Sequence, residues 1–264
     1  MDFGYNLIAR AYLLPLITMW LRYPEASECY GAMNAGGPEA TRLYERLTRF
    51  PNFFDADFSV FDGSHSGPAF LAVSEGVYSF ARAVGYTHQE ALRASYFVLS
   101  SVYSILKYGK DYVMKAFGFP SGHIATLFFN SFVNSFLMRV VYARLVGPLD
   151  GFHEDIVTAN VGDDNASSVS DRASEKFTMV TFIDEVYRLG YVATPAKKDG
   201  YVVPFISIDD MVFLKRSWVA HPLAGAQVLA LAPKSIWKAF GWHSTDSMVT
   251  PREKIVQVAR GVIS

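Results

Sequence analysis

Residues 155–169 constrain the fold of this chain more than any other stretch. Asp155 to Val161 alternates apolar and polar residues as a half-buried strand does. Gly162-Asp163-Asp164 then breaks the pattern, and Ala166 to Val169 resumes it. Two strands joined by so short a turn pair antiparallel, because a parallel partner needs a crossover of a dozen residues or more. Helical patterns lie on both sides, at Gly122 to Leu145 and Ser174 to Leu189. Hairpins set among helices imply an α+β fold.

The rest of the chain reads in the same way. Helical patterns cover 5–22, Glu39 to Phe50, 67–82, 88–107 and Pro251 to Val262, with a loop at 29–38. Phe53 to Phe61 reads as an aromatic-rich strand whose polar face carries Asp55, Asp57 and Ser59. Repeated turns are expected from Lys107 to Pro120. Gly190 to Thr194, Tyr201 to Phe205 and Met211 to Trp218 read as extended.

Composition bounds the function. With 264 residues, 51% of them apolar and 19% charged, the chain can bury a core as one large domain or two small ones. The single Cys29 excludes an internal disulfide framework and any multi-cysteine zinc site, and a reduced compartment is the default. A net charge of −1 argues against a nucleic-acid binder, unless clustered carboxylates offset basic surface elsewhere. No transmembrane segment is expected: Tyr12 to Leu21 is short and interrupted by Pro15, and Leu127 to Val146 carries Asn130, Asn134, Arg139 and Arg144.

Five segments carry chemistry. In Asp57-Phe58-Ser59-Val60-Phe61-Asp62-Gly63-Ser64, Asp57 lies in a strand and Asp62 where it ends. Phosphoryl transfer by two metals needs carboxylates from separate segments converging on ions ~4 Å apart, which Asp57 and Asp163 can supply. Read singly, Asp57 is equally the polar face of a half-exposed strand, and Gly-Asp-Asp an ordinary polar turn. Gly118-Phe119-Pro120-Ser121-Gly122 shapes a loop leading into a helix, where Thr126 and Asn130 share one face among Leu127, Phe128, Phe129 and Phe132. Buried polar groups need partners: a substrate hydroxyl, or neighbouring core groups. In Thr194-Pro195-Ala196-Lys197-Lys198 a lysine can act as general acid toward a leaving pyrophosphate, or simply cap a solvated turn. Phe213-Leu214-Lys215-Arg216 places two cations where they can grip a nucleic-acid backbone, or serve only as surface charge. Other chemistries lack support. The six histidines show no close metal-ligand spacing, Ser121 lacks a nucleophile elbow, and there is no phosphate-binding glycine loop ending in Lys-Ser or Lys-Thr.

In this order over residues 57–216, the five segments resemble the palm of viral RNA-dependent RNA polymerases, specifically those of picornavirus-like positive-strand RNA viruses. Phe58, Phe61-Asp62-Gly63 and Asn165 look like the insect and marine branch. The resemblance implies a polymerase palm with a central antiparallel sheet packed on helices: a partial fingers remnant at 1–52, palm at 53–216 with fingers-proximal helices at 67–115, and the start of a thumb at 217–264. It implies template-directed RNA synthesis in viral genome replication, by two-metal transfer of ribonucleoside triphosphates to an RNA 3′-hydroxyl. Asp57 and Asp163 match the principal ligands of two Mg²⁺ ions, with Asp164 assisting and Mn²⁺ able to substitute. Asp62 and Asn130 match the residues that recognise the ribose 2′-hydroxyl. Ser121 and Gly122 match a flexible nucleotide-responsive loop, and Thr126 supports the same pocket. Lys198 matches the general acid, with Lys197 the second candidate. Lys215 and Arg216 match the hairpin holding the RNA primer end. Implied partners are RNA template and primer, ribonucleoside triphosphates, the rest of a viral polyprotein and a protein primer, in membrane-associated replication complexes of the host cytoplasm.

Two departures qualify the match. The family usually has Tyr where Val161 precedes Gly162-Asp163-Asp164, which bears on rate or fidelity without removing a ligand. A basic fingers segment is expected to precede residue 1, so the 264 residues alone are expected to be inactive. Two alternatives compete. A reverse-transcriptase-like enzyme usually blocks the 2′-hydroxyl with a bulky aromatic near the end of the first strand, where this chain has Gly63 and Ser64. A non-catalytic polymerase remnant is disfavoured by the intact carboxylates.

Overall fold

The computed structural model describes residues 3–198, 201–221, 225–241, 250, 252–253 and 255–256. The helix expected at Pro251 to Val262 lies largely outside them. The chain begins α1 (Phe3–Arg22), α2 (Pro24–Ser27), α3 (Pro38–Leu47), β1 (Asn52–Ser59), α4 (Phe61–Ser64), α5 (Gly67–Ala83), α6 (His88–Leu99), β2 (Ser104–Tyr108) and β3 (Asp111–Lys115). It continues α7 (Thr126–Leu145), α8 (Phe152–Asp155), β4 (Ile156–Val161), β5 (Asp164–Val169), α9 (Asp171–Ser174), α10 (Met179–Arg188) and β6 (Val192–Thr194). It ends β7 (Val212–Phe213), β8 (Arg216–Ala220), β9 (Gln227–Leu231) and α11 (Pro233–Gly241).

The organising element is a four-stranded antiparallel sheet in the order β4-β5-β1-β6. One face packs on α7 and α10 through a core rich in phenylalanine, including Phe54, Phe58, Phe129, Phe177 and Phe182. The other face, through Val157, Ala159 and Ala166, meets α3 and the small β7-β8-β9 sheet at Leu43, Phe213, Trp218 and Leu229. With both faces covered, β4 and β5 are buried along nearly their whole length, which is why their apolar alternation is imperfect. The outer edge of β4 is covered as well: Tyr30 N–H donates to Asn160 O at 3.0 Å, and Asn160 N–H to Glu28 O at 2.7 Å. That closes an edge which would otherwise template pairing with another chain.

Local signals explain the helix boundaries. Thr87 and Glu90 form a reciprocal capping box at the start of α6, and Thr178 with Thr181 does the same for α10. The helix expected over Ser174 to Leu189 begins only at Met179, behind the Thr178 cap, and the short α9 precedes it. The helix expected over 88–107 stops at Leu99, because the β-favouring residues that follow close a β2–β3 hairpin around Gly109 (φ 62°). The helix expected from Gly122 begins instead at Thr126. Tyr201 to Phe205 forms no strand; the nearby contact is an isolated bridge between Ile206 and Phe53. Met211 to Trp218 is not one strand but a hairpin, turning at Leu214-Lys215 with φ of 56° and 57°. Strand β9 and helix α11 were not anticipated. Asp55, read as part of an exposed polar face, is 2% exposed and accepts the backbone N–H groups of Ala196 (3.0 Å) and Val212 (2.8 Å). A buried carboxylate is tolerable when hydrogen bonds of this kind compensate its lost hydration.

Candidate active site

The sheet register builds the site. Asp57 on central β1 lies opposite Asp164 on β5 and opposite Thr194 on β6. Val161 pairs with Asp164, so Gly162 and Asp163 alone make the turn, and Asp164 already belongs to the returning strand. Gly162 has φ 64°, the left-handed conformation that a two-residue hairpin turn demands and that glycine adopts without steric cost. Asp163 O accepts from Phe58 N–H at 3.2 Å, which draws the turn against β1.

Helix α7 braces this turn from behind. Gly162 N–H donates to Ser131 Oγ at 2.9 Å, and Asn134 Nδ2 donates to the carbonyls of Gly162 (3.2 Å) and Asp164 (3.3 Å). Asn165 Nδ2 reaches Asn160 Oδ1 (2.7 Å), Thr158 Oγ1 (3.0 Å) and Asn134 Oδ1 (3.2 Å), with Ser167 completing the buried cluster. The network ties α7 to both strands of the hairpin and restrains the turn, although the Asn160 amino group within it finds no partner among the described residues.

The carboxylates carry more negative charge than the neighbouring lysines offset. Burial, then the negative fields of Asp163 and Asp57, push Asp164 up to about 7. Asp163, exposed at the turn tip, is also held above the ordinary carboxylate range by desolvation of its inner side and by Asp57 and Asp62. Asp57 has a partner: Lys198 Nζ stands 2.6 Å from its Oδ2, and this contact raises the lysine's own pKa. Lys197 points away and pairs with Asp210 at 2.5 Å. The structure thus separates the two lysine candidates. Lys215, on the β7–β8 turn, lies within the electrostatic reach of Asp164. Arg216 donates to Leu229 O at 3.1 Å, so part of its hydrogen-bonding capacity serves the small sheet. Among the described residues, no group of three or more His, Cys, Asp or Glu side chains is gathered closely enough to hold a metal ion.

The loop before α7 docks on α4. Gly118 N–H donates to His65 O at 2.7 Å and Phe119 N–H to Asp62 O at 2.6 Å. A Cβ on Gly118 would stand 2.9 Å from the carbonyl oxygens of Asp62 and Gly63, so this close approach requires glycine. The docked loop lets the Ser121 hydroxyl donate to Asp62 Oδ2. The Thr126 hydroxyl turns back into the loop, within donating distance of Pro120 O (2.9 Å) and His123 O (2.8 Å). Asn130 is 9% exposed, and its Oδ1 lies 2.9 Å from Nε2 of the buried His65.

Comparison with known proteins assigns the family. The viral RNA-dependent RNA polymerase profile matches residues 1–262. The chain belongs to the viral RNA-dependent RNA polymerase family. Among similar sequences, the replicase polyprotein of Cricket paralysis virus is 26% identical over 258 residues, spanning 92% of this chain and 14% of the polyprotein. The replication polyprotein of Nora virus is 30% identical over 240 residues, spanning 87% of this chain and 11% of the polyprotein. A solved structure titled Sicinivirus 3Dpol RNA dependent RNA polymerase superposes with a TM-score of 0.75 at 17% identity, over 90% of this chain and 49% of that one. This chain therefore spans about half the length of that polymerase and a small part of each polyprotein.

The α+β polymerase palm read from the sequence is the fold found, and the picornavirus-like relatives are the group expected. Within this polymerase fold, Asp57, Asp163, Asp164 and Lys198 come together at one end of the inner strands, while Asp62 meets Ser121 and Asn130 meets His65. Sequence reasoning missed three supports. Asn134 had a signal, since it follows Asn130 by four on an otherwise apolar helix. His65 was weighed only as a metal ligand. Asp55 carried no local signal, because its partners come from segments far along the chain.

Proposed function

We propose that this chain carries the nucleotidyl-transfer centre of a polymerase that copies RNA from RNA, joining ribonucleotides to an RNA 3′-hydroxyl during viral genome replication. The observation that carries this reading is the strand register: Asp57 opposite Asp164, with Asp163 at the turn between paired strands and too little positive charge around them. Hard oxygen donors with surplus negative charge fit Mg²⁺, and Mn²⁺ as its substitute. Asp57 and Asp163 would be the principal ligands of two ions and Asp164 the auxiliary one. Bound there, such ions supply a lowered pKa for the attacking hydroxyl and stabilise charge on the transferring phosphate.

The chain's own side chains do the remaining work. Asp62, with one oxygen held by Ser121, offers the other to a ribose hydroxyl. Ser121 and Gly122 form the loop that answers nucleotide binding. Lys198 keeps its proton firmly while paired with Asp57. A triphosphate gives it a second anionic partner, and the same proton is then available to the departing pyrophosphate. Lys215 and Arg216 meet the phosphates of the RNA primer strand. Gly63 and Ser64 leave room beside Asp62 for a 2′-hydroxyl, which favours ribonucleotides over a reverse-transcriptase-like chemistry. The remaining channel walls come from the rest of the polyprotein, in membrane-associated replication complexes of the host cytoplasm, with a protein primer starting synthesis.

The test is Asp163→Ala in the complete polymerase. Nucleotide incorporation is expected to fall to background, and undiminished incorporation would overturn the site assignment.

A further inference from the structure

His65 is fully buried, directly after α4, in a cage of rings: Phe61 at 4.7 Å, Phe129 at 5.0 Å and Tyr191 at 5.8 Å between centroids. Its two ring nitrogens meet two different side chains. Nδ1 is 3.4 Å from Tyr191 Oη, and Nε2 is 2.9 Å from Asn130 Oδ1. Burial lowers the imidazole's pKa to about 4, so it is neutral and has one N–H to give. Burial raises the Tyr191 phenol to about 12, so that hydroxyl keeps its proton. The arrangement satisfying all three groups runs one way: Tyr191 O–H donates to Nδ1, and Nε2–H donates to the Asn130 oxygen.

This relay settles which end of the Asn130 carboxamide looks outward. An amide can flip, and its two ends do opposite things. With the oxygen pinned inward by His65, the amino group is left for the pocket, and among the described residues Asn130 makes no second side-chain hydrogen bond. Asp62, near enough for its charge to act on His65, presents only acceptors. A ribose 2′-hydroxyl has a single proton, which it gives to Asp62, and it then needs a donor for its own lone pairs. The outward amino group is that donor. A flipped amide would set two acceptors around one hydroxyl and leave one of them unsatisfied.

We propose that His65 is a positioning residue for ribose recognition: it holds the Asn130 carboxamide oxygen-inward, and this direction sets the preference for nucleotides bearing a 2′-hydroxyl. The assignment rests on the polymerase reading above. It explains why a histidine sits in a cage otherwise made of aromatic rings: phenylalanine would fill the space but leave the Tyr191 hydroxyl and the Asn130 oxygen without this partner.

The experiment compares ATP with dATP in the complete polymerase. His65→Phe fills the cage without the donor. The ratio of kcat/KM for ATP over dATP is expected to fall about tenfold, mainly through a higher KM for ATP, because a site built to bond a hydroxyl loses its advantage when one partner is misdirected. His65→Gln, whose side-chain amide can donate to Asn130, is expected to recover most of the ratio. On an Asn130→Ala background, His65→Phe is expected to change the ratio no further, and this comparison stands even if the single variants fold less well. An unchanged ratio in His65→Phe, or an equal drop on both backgrounds, overturns the proposal. Asp163→Ala runs beside these variants: incorporation surviving in it overturns the catalytic reading itself, whereas its loss together with an unchanged His65→Phe ratio overturns only the role of His65.

Discussion

Arg139→Met tests how the β4 edge is held. Glu28 is 2% exposed and in the left-handed region at φ 58°, and its carbonyl receives the N–H of Asn160 at 2.7 Å, two residues before the Gly162-Asp163 turn. Its carboxylate is gripped by both ends of the Arg139 guanidinium, Nη1 to Oε2 at 2.8 Å and Nη2 to Oε1 at 2.9 Å. Methionine keeps the aliphatic bulk over Phe152, which the guanidinium covers at 4.4 Å, and removes the charge. Breaking a buried pair from one side costs about 3–5 kcal/mol, since the surviving charge has neither water nor partner. Two features reduce that here. The Arg139 side chain is 28% exposed, so water reaches the gap, and Ser135 still donates to Glu28. A loss of about 3 kcal/mol is expected, which in a chain of this size lowers the melting temperature by roughly 6–12 °C. Urea and thermal unfolding, followed by circular dichroism, measure both. Glu28→Gln combined with Arg139→Met should recover at least half of the loss, because a neutral amide needs no counter-charge. A single variant within 1 kcal/mol of wild type, or a double variant as unstable as the single, would refute the argument.

Three other predictions follow from the same physics. His65 and His123 are both lowered to about 4 by burial, so the unfolded chain binds more protons between pH 6.5 and 4, and stability is full above 6.5 and is lost as pH falls toward 4. Each should contribute a loss of about 2 kcal/mol by pH 5, and urea midpoints across that range should be less pH-sensitive in His65→Gln. Lys215 sits at φ 57° in the β7–β8 turn, so Lys215→Gly should gain up to about 1 kcal/mol of stability. In the complete polymerase it should also lower the salt slope of RNA binding by about one, and an unchanged slope would remove Lys215 from the RNA contact. The isolated 264 residues should bind Mn²⁺ weakly in calorimetry and extend no primer; robust extension would show that nothing essential lies outside them.

Much of the site was legible because its signals are local. The Gly162-Asp163 turn, the strand carrying Asp57 and the polar stripe of α7 each follow from residues within a few positions of one another. What escaped depends on distance. Asp55 and Asp57 look alike on an alternating strand, yet Asp55 is held by backbone N–H groups from Ala196 and Val212 while the part-exposed Asp57 meets Lys198. Met211 to Trp218 has the composition of one strand, and only its pairing with β9 and its seat on the second core fold it into a hairpin. The helix expected to run to residue 107 ended early for a similar reason, since the β2–β3 hairpin draws on pairing across a turn that helical periodicity does not record.

Residue order alone determined the α+β class, the hairpin with its aspartates and the family resemblance, because strand alternation, turn chemistry and motif spacing are written along the chain. Tertiary structure decided which lysine meets Asp57, which aspartate is structural, and which way the Asn130 amide faces. Each of those outcomes is set by a partner brought in from a distant segment and by burial that removes the competing water. No stretch of sequence read by itself contains that information.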